Sequence, residues 1–123
     1  MRFLKLQAYC ALIQFDVNLA RSFSALHEKV RSCQVRPIQV SEEFVQKICA
    51  AVDIACTWYW KEVFCLHRSA ATVCLLRQNG VNAQLVIGAQ TIPFKAHAWV
   101  EVEGRVINDK PYMPEIYTIL DRC

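Results

Sequence analysis

The chain has 123 residues, 54% of them hydrophobic and 20% charged, with three glycines and four prolines. That composition excludes a disordered chain, a collagen-like repeat and a loop-rich toxin scaffold, and a chain of this length has one domain-sized core. Its 14 basic and 11 acidic residues are spread without a basic run, so nucleic acid is not an expected partner.

From Leu4, the apolar residues Ala8, Leu12, Phe15, Leu19, Phe23, Leu26 and Val30 recur at helical spacing, which predicts one long or two consecutive amphipathic helices. Phe3 to Val17 is apolar almost all round, so either the rest of the domain or a partner protein must cover it. Arg2 and Lys5 ahead of this stretch give it a faint likeness to a secretory signal, but its two glutamines and the lack of a small-x-small cleavage site argue against that reading.

Pro37 breaks the helical pattern, and Ser41 followed by Glu42 and Glu43 predicts an N-cap with two carboxylates in the positive first turn of a new helix. The expected organisation is therefore a helical segment over residues 1–40 and a core over 41–123. Phe44, Ile48, Ala51, Val52 and Ala55 would form the buried face of the second unit. Trp58-Tyr59-Trp60 would either close the core or wall a cleft. No stretch approaches the roughly 20 apolar residues of a membrane span; Ile48 to Trp60 is interrupted by Asp53.

Cys65 to Asn79 predicts a third helix, ended by Asn79-Gly80 in a left-handed stop. The period then changes to two. Ala83 to Gly88 and Ala96 to Val102 read as strands, and Arg105 to Asp109 as a return strand after a turn at Glu103-Gly104, so helices followed by strands make an α+β chain. The tail after Pro111, with a second proline at Pro114, is expected to be irregular or briefly helical and carries no clear signal.

Cys65 at a helix start would feel the macrodipole and free backbone N–H groups, which favour thiolate, although a buried inert thiol is the commoner state of cysteine. Alternation puts Ala98 and Val100 toward the core and His97, Trp99 and Glu101 on an opposite, open face. Strand parity lets Asp109 share the face of His97 if 97 pairs with 109 and 101 with 105. That register needs a three-residue connection, Val102-Glu103-Gly104. The expected product is a thiol, an imidazole and an orienting carboxylate, the arrangement of acyl-transfer chemistry.

Other candidates are weaker. His67 lies about 200° round the helix from Cys65 and cannot serve as its base. His27 is expected to be solvated or interfacial. Arg68 could favour the Cys65 thiolate or form a structural ion pair. Cys65, His97 and Asp109 offer no fourth ligand at usual spacing, so a zinc site is not expected. The seven cysteines include no Cys-x-x-Cys pair, and most are expected as reduced thiols in a cytoplasmic protein.

Cys65-Leu66-His67-Arg68-Ser69, Leu85-Val86-Ile87-Gly88, Pro93-Phe94, Ala96 to Val106 and Asn108-Asp109 resemble the transglutaminase-like leader peptidases of lasso-peptide biosynthesis. The likeness runs in order from about Glu42 to Asp109, with the spacing from Cys65 to His97 and on to Asp109 similar to the family's. It implies a papain- and transglutaminase-like fold in which Cys65 attacks a peptide carbonyl, His97 acts as base and then acid, and Asp109 orients His97. The backbone N–H of Cys65 would be one oxyanion donor, with the second unassigned in the segment of Trp58 and Trp60.

The resemblance also implies a precursor peptide as substrate, an ATP-dependent cyclase acting after the cut, and no metal or nucleotide in the protease itself. The segment before Pro37 lacks the strands of a leader-recognition domain. The chain therefore resembles the separate type of protease, to which a leader-recognition protein would dock, with Phe3 to Val30 as the expected surface. A transglutaminase-like acyltransferase and a non-catalytic scaffold for the precursor are the alternatives.

Overall fold

A computed structural model describes residues 2–33 and 42–123. The first segment forms two helices, α1 (Arg2–Arg21) and α2 (Phe23–Ser32), divided at Ser22. Ser22 adopts extended backbone and its Oγ accepts the Ala25 N–H at 3.0 Å, so a new helix is capped where the old one ends. The expected break at Pro37 and cap at Ser41 lie outside the described residues. Next come α3 (Glu42–Trp58) and α4 (Cys65–Gln78). Past the end of α4, Gly80 takes φ +84°, and the Val81 N–H reaches back to the Leu76 carbonyl at 2.9 Å, which closes the helix as expected for Asn79-Gly80.

The chain then builds a four-stranded antiparallel sheet from β1 (Ala83–Thr91), β2 (Phe94–Val102), β3 (Arg105–Val106) and β4 (Thr118–Arg122). Its strand order is β3-β2-β1-β4, and a short helix, α5 (Met113–Ile116), precedes β4. β1 and β2 are longer than the period-two pattern suggested and meet across Ile92-Pro93, with Gly88 opposite His97.

One core lies between the helices and the sheet. Ala8, Leu12 and Phe15 of α1, Leu26 and Val30 of α2, Ile48 and Val52 of α3, and Leu75 and Leu76 of α4 pack with Leu85, Ala98 and Val100 of the strands. Intramolecular packing therefore covers the inner face of the N-terminal helices. His67 belongs to this core: its Nε2–H donates to the Leu12 carbonyl and its ring meets Tyr59 edge-on.

Four expectations need correction. The tail holds the brief helix expected there as α5, but also the strand β4, which was not expected: its apolar Ile119 and Leu120 are adjacent, so its five residues show no alternation. With them, the face of β2 is closed at Trp99 and Glu101, because Trp99, Val86 and Met113 form a second small core flanked by Val106, Tyr117 and Ile119, while His97 at its margin stays partly exposed. Trp58 and Trp60 are 79% and 73% exposed, while Tyr59 between them is buried. Finally, Glu101 pairs with Val106 and Val102 with Arg105, so a two-residue turn replaces the expected three-residue connection. Both turn residues have positive φ, 52° at Glu103 and 75° at Gly104, as a primed hairpin turn requires.

Acid should unfold the protein in two stages. Burial lowers the pKa of His67, so the native state resists the proton that the unfolded chain takes up below about pH 6.5. The Asp16 carboxyl is lowered by Lys61 and that of Asp121 by His27, so both contribute stability above the ordinary carboxylate range and lose it as pH falls through about 4. Melting temperatures should decline gently below about pH 6.5 and steeply below about pH 4; a flat profile across this range contradicts the assignment.

Candidate active site

Cys65 is the first residue of α4. Phe64 before it is extended, with φ −83° and ψ 167°, and supplies no side-chain cap, so the first N–H groups of α4 stay open at the positive end of the helix dipole. The thiol is half-buried at the margin of the main core.

His97 and Asp109 are directly joined. Asp109 Oδ2 lies 2.6 Å from His97 Nε2, and Asp109 Oδ1 accepts the Lys110 N–H at 2.8 Å. Burial opposes ionisation of Asp109, but the His97 hydrogen bond, the Lys110 N–H and the charges of His97 and Arg68 outweigh it and hold the carboxyl below its ordinary pKa. An ionised carboxylate can only accept, so Nε2 carries the proton, and Nδ1 is the nitrogen that bears the lone pair whenever the ring is uncharged. Tyr117 stacks on the imidazole at 5.5 Å and Trp99 lies 6.1 Å from it, which limits its rotation. Gly88 leaves room for this packing, because a Cβ there would come within 2.7 Å of Tyr117 Cβ and 2.8 Å of Trp99 Cη2.

The observed register would by parity send Asp109 to the face opposite His97, and a side chain prevents it. The ladder continues to the Ile107 N–H, which donates to the Val100 carbonyl at 3.0 Å. The reciprocal Val100 N–H is then taken at 2.8 Å by Asn108 Oδ1, where a continuing strand would offer the Ile107 carbonyl. The strand leaves the ladder there, and Asp109 arrives on His97.

Asn108 also connects this hairpin to the nucleophile helix. Its Nδ2 donates to Ser69 Oγ at 3.1 Å, and Ser69 Oγ donates to the Ala98 carbonyl at 3.1 Å. Ser69 lies one helical turn after Cys65 on the same side of α4, and Ala98 follows His97. Cys65 Sγ itself makes no hydrogen bond to His97 among the described residues. Such contacts often form only with substrate bound.

Asn108 and Ser69 stand within the motifs that carry the family resemblance, which assigns them no role, and Tyr117 lies in the tail, where the pattern carries no clear signal. The Asn-Asp pair after a short strand was the available signal. Asn108→Ala should leave the Val100 N–H unsatisfied, cost about 1–3 kcal/mol in stability, and lower turnover by roughly tenfold to a hundredfold through misplacement of Asp109. Unchanged turnover in the folded variant would contradict a positioning role.

Elsewhere, His27 Nε2 lies 2.6 Å from Asp121 Oδ2. With Cys123 these residues gather three potential ligand atoms within 4.8 Å, but Arg31 adds positive charge beside them, which disfavours a cation.

A family model described as the transglutaminase-like superfamily matches residues 11–122. The chain is also 45% identical over 56 residues to the microcin J25-processing protein McjB of Escherichia coli, a match covering 46% of this chain and 27% of that protein. The chain thus spans about a quarter of the length of this curated relative. No solved structure matches it.

Proposed function

The chain belongs to the transglutaminase-like superfamily, and from that premise we propose that it is a cysteine peptidase that removes the leader from a ribosomally made lasso-peptide precursor. The observation that carries the reading is the His97–Asp109 hydrogen bond of 2.6 Å, which leaves Nδ1 as a base beside the helix that begins with Cys65. Similarity to a protein named for processing microcin J25 supports the substrate class.

His97 Nδ1 takes the Cys65 thiol proton as the sulfur attacks the scissile carbonyl. Negative charge develops on the carbonyl oxygen, and the open Cys65 N–H at the start of α4 stabilises it; the second donor is unassigned. His97 returns the proton to the departing amine, which becomes the new N-terminus of the core peptide. Water, deprotonated by the same ring, then releases the leader as a carboxylate. Asp109 keeps the proton on Nε2 and stabilises the imidazolium between these steps. The residues named here supply this chemistry without a metal or nucleotide.

The substrate is presented by a leader-recognition protein, and the freed amine passes to a separate ATP-dependent cyclase. The outward stripe of α1 supports the docking role: Leu6, Cys10, Ile13 and Val17 share one exposed helical side, opposite the buried Ala8, Leu12 and Phe15. Ile13→Glu should reduce cleavage stimulated by the recognition protein about tenfold or more while leaving unstimulated cleavage unchanged. Equal stimulation of variant and parent would remove this surface from the proposal.

Membership of the transglutaminase-like superfamily favours one second reading, transfer of the Cys65 thioester to an amine. Mass spectrometry of a precursor incubated with the chain and the recognition protein decides between them. Two hydrolysis fragments support the peptidase, and an isopeptide-linked product supports transfer.

A further inference from the structure

We infer that Cys33 and Cys74 form a reversible disulfide site that fastens the end of α2 to α4, with small-molecule disulfides such as oxidised glutathione as the oxidising class. All seven thiols are free in the structure, yet these two sulfurs are 2.8 Å apart, within hydrogen-bond contact and close to the bond length of about 2.05 Å. They come from residues 41 positions apart in sequence.

Both sulfurs are held from behind. Cys33 ends α2, and its backbone is clamped by the buried Arg77, whose Nη1 donates to the Val30 carbonyl at 2.7 Å and the Cys33 carbonyl at 3.3 Å. Arg77 is fixed in turn by donating through Nε to the Ala83 carbonyl at 3.0 Å. Cys74 lies in the main core, where the Gln78 amide also reaches its sulfur at 3.5 Å. Little rearrangement separates this contact from a bond, so the ordering that an engineered disulfide must impose is already present.

The two thiols divide the chemistry. Cys33 is half-buried and Cys74 fully buried. The hydrogen bond from Cys74, with Lys29 and Arg77 nearby, lowers Cys33 to about 6 against the opposing effect of burial, whereas Cys74 is pushed up by the same contact and by burial. The Cys33 thiolate therefore attacks one sulfur of glutathione disulfide and expels one glutathione thiolate. Cys74 then loses its proton to that thiolate and attacks Cys33 Sγ, expelling the second glutathione, which is protonated from solvent. Two electrons pass from the cysteine pair to the oxidant, and its S–S bond is replaced by the one in the protein.

Cys74 is nine residues beyond Cys65, half a rotation round α4, so this site faces away from the proposed nucleophile and stands independently of the peptidase reading. The test equilibrates the full chain across reduced-to-oxidised glutathione ratios, alkylates the remaining thiols and maps the cysteine peptides. Expected are the joint loss of Cys33 and Cys74 as free thiols, a Cys33–Cys74 linked peptide, a rise of roughly 10 °C in melting temperature, and full reversal by dithiothreitol. Cys33→Ser should abolish the linkage and the rise while keeping the helical circular dichroism of the parent. Two thiols that stay alkylatable throughout, glutathione adducts without a linkage, or a linkage between other cysteines would each overturn the inference. Because mapping is done on the parent chain, it holds even if Cys74→Ser does not fold.

Discussion

Cys65→Ala should abolish leader removal, a loss of roughly 10⁵-fold or more, while the variant still folds and still binds the precursor with its recognition protein. The expectation combines chemistry with packing. Cys65 is only half-buried and opens α4, where alanine is a good helix former, so removing the sulfur leaves no large cavity and no uncapped turn that was capped before. The other six thiols do not substitute, since none begins a helix joined through Ser69 to the strand of His97. Mass spectrometry of the precursor after incubation gives the rate, and circular dichroism confirms the fold. Continued cleavage by the folded variant would leave only the scaffold reading.

Loss of the base and its orienter should be nearly as severe. His97→Ala and Asp109→Ala are each expected to lower turnover by about 10² to 10⁴. Asp109→Asn tests the acceptor role of the carboxylate. Its single amide oxygen is claimed by the Lys110 N–H that Oδ1 now accepts, so the Nδ2 donor faces His97 Nε2 and favours the tautomer with the proton on Nδ1, which cannot act as base. Turnover of Asp109→Asn should therefore fall about as far as that of Asp109→Ala, with KM close to the parent in all three variants. Asp109→Ala at parental turnover would remove the carboxylate from the mechanism. Double replacement of His97 and Asp109 should cost little more than His97→Ala alone, because Asp109 acts through the ring.

Much of this protein was legible from the order of its residues. The three-to-four residue recurrence of apolar side chains marked α1 to α4, and Asn79-Gly80 marked a helix end, because such signals act within one or two turns of chain. The chemically capable residues were equally apparent: a cysteine opening a helix, a histidine on an alternating strand, and an acid just after the return strand. The exclusion of His67 needed only helical geometry, and its bond to Leu12 agrees with it.

Tertiary structure decided how those residues meet. Parity applied to a full hairpin demanded a three-residue turn, yet the strand pairs in the other register and Asn108 breaks the ladder to bring Asp109 across. A side-chain amide that replaces a backbone carbonyl leaves no periodic trace. The fate of the His97 face was hidden for the same reason: it depends on β4 returning to pair with β1, and on Tyr117 and Met113 closing over Trp99. The exposure of Trp58 and Trp60 and the meeting of Cys33 with Cys74 likewise follow from how α3, α2 and α4 are docked. Local sequence determines helices because their bonds link neighbours four residues apart; it does not determine contacts between separate elements, where the energy comes from surfaces that exist only once the chain has packed.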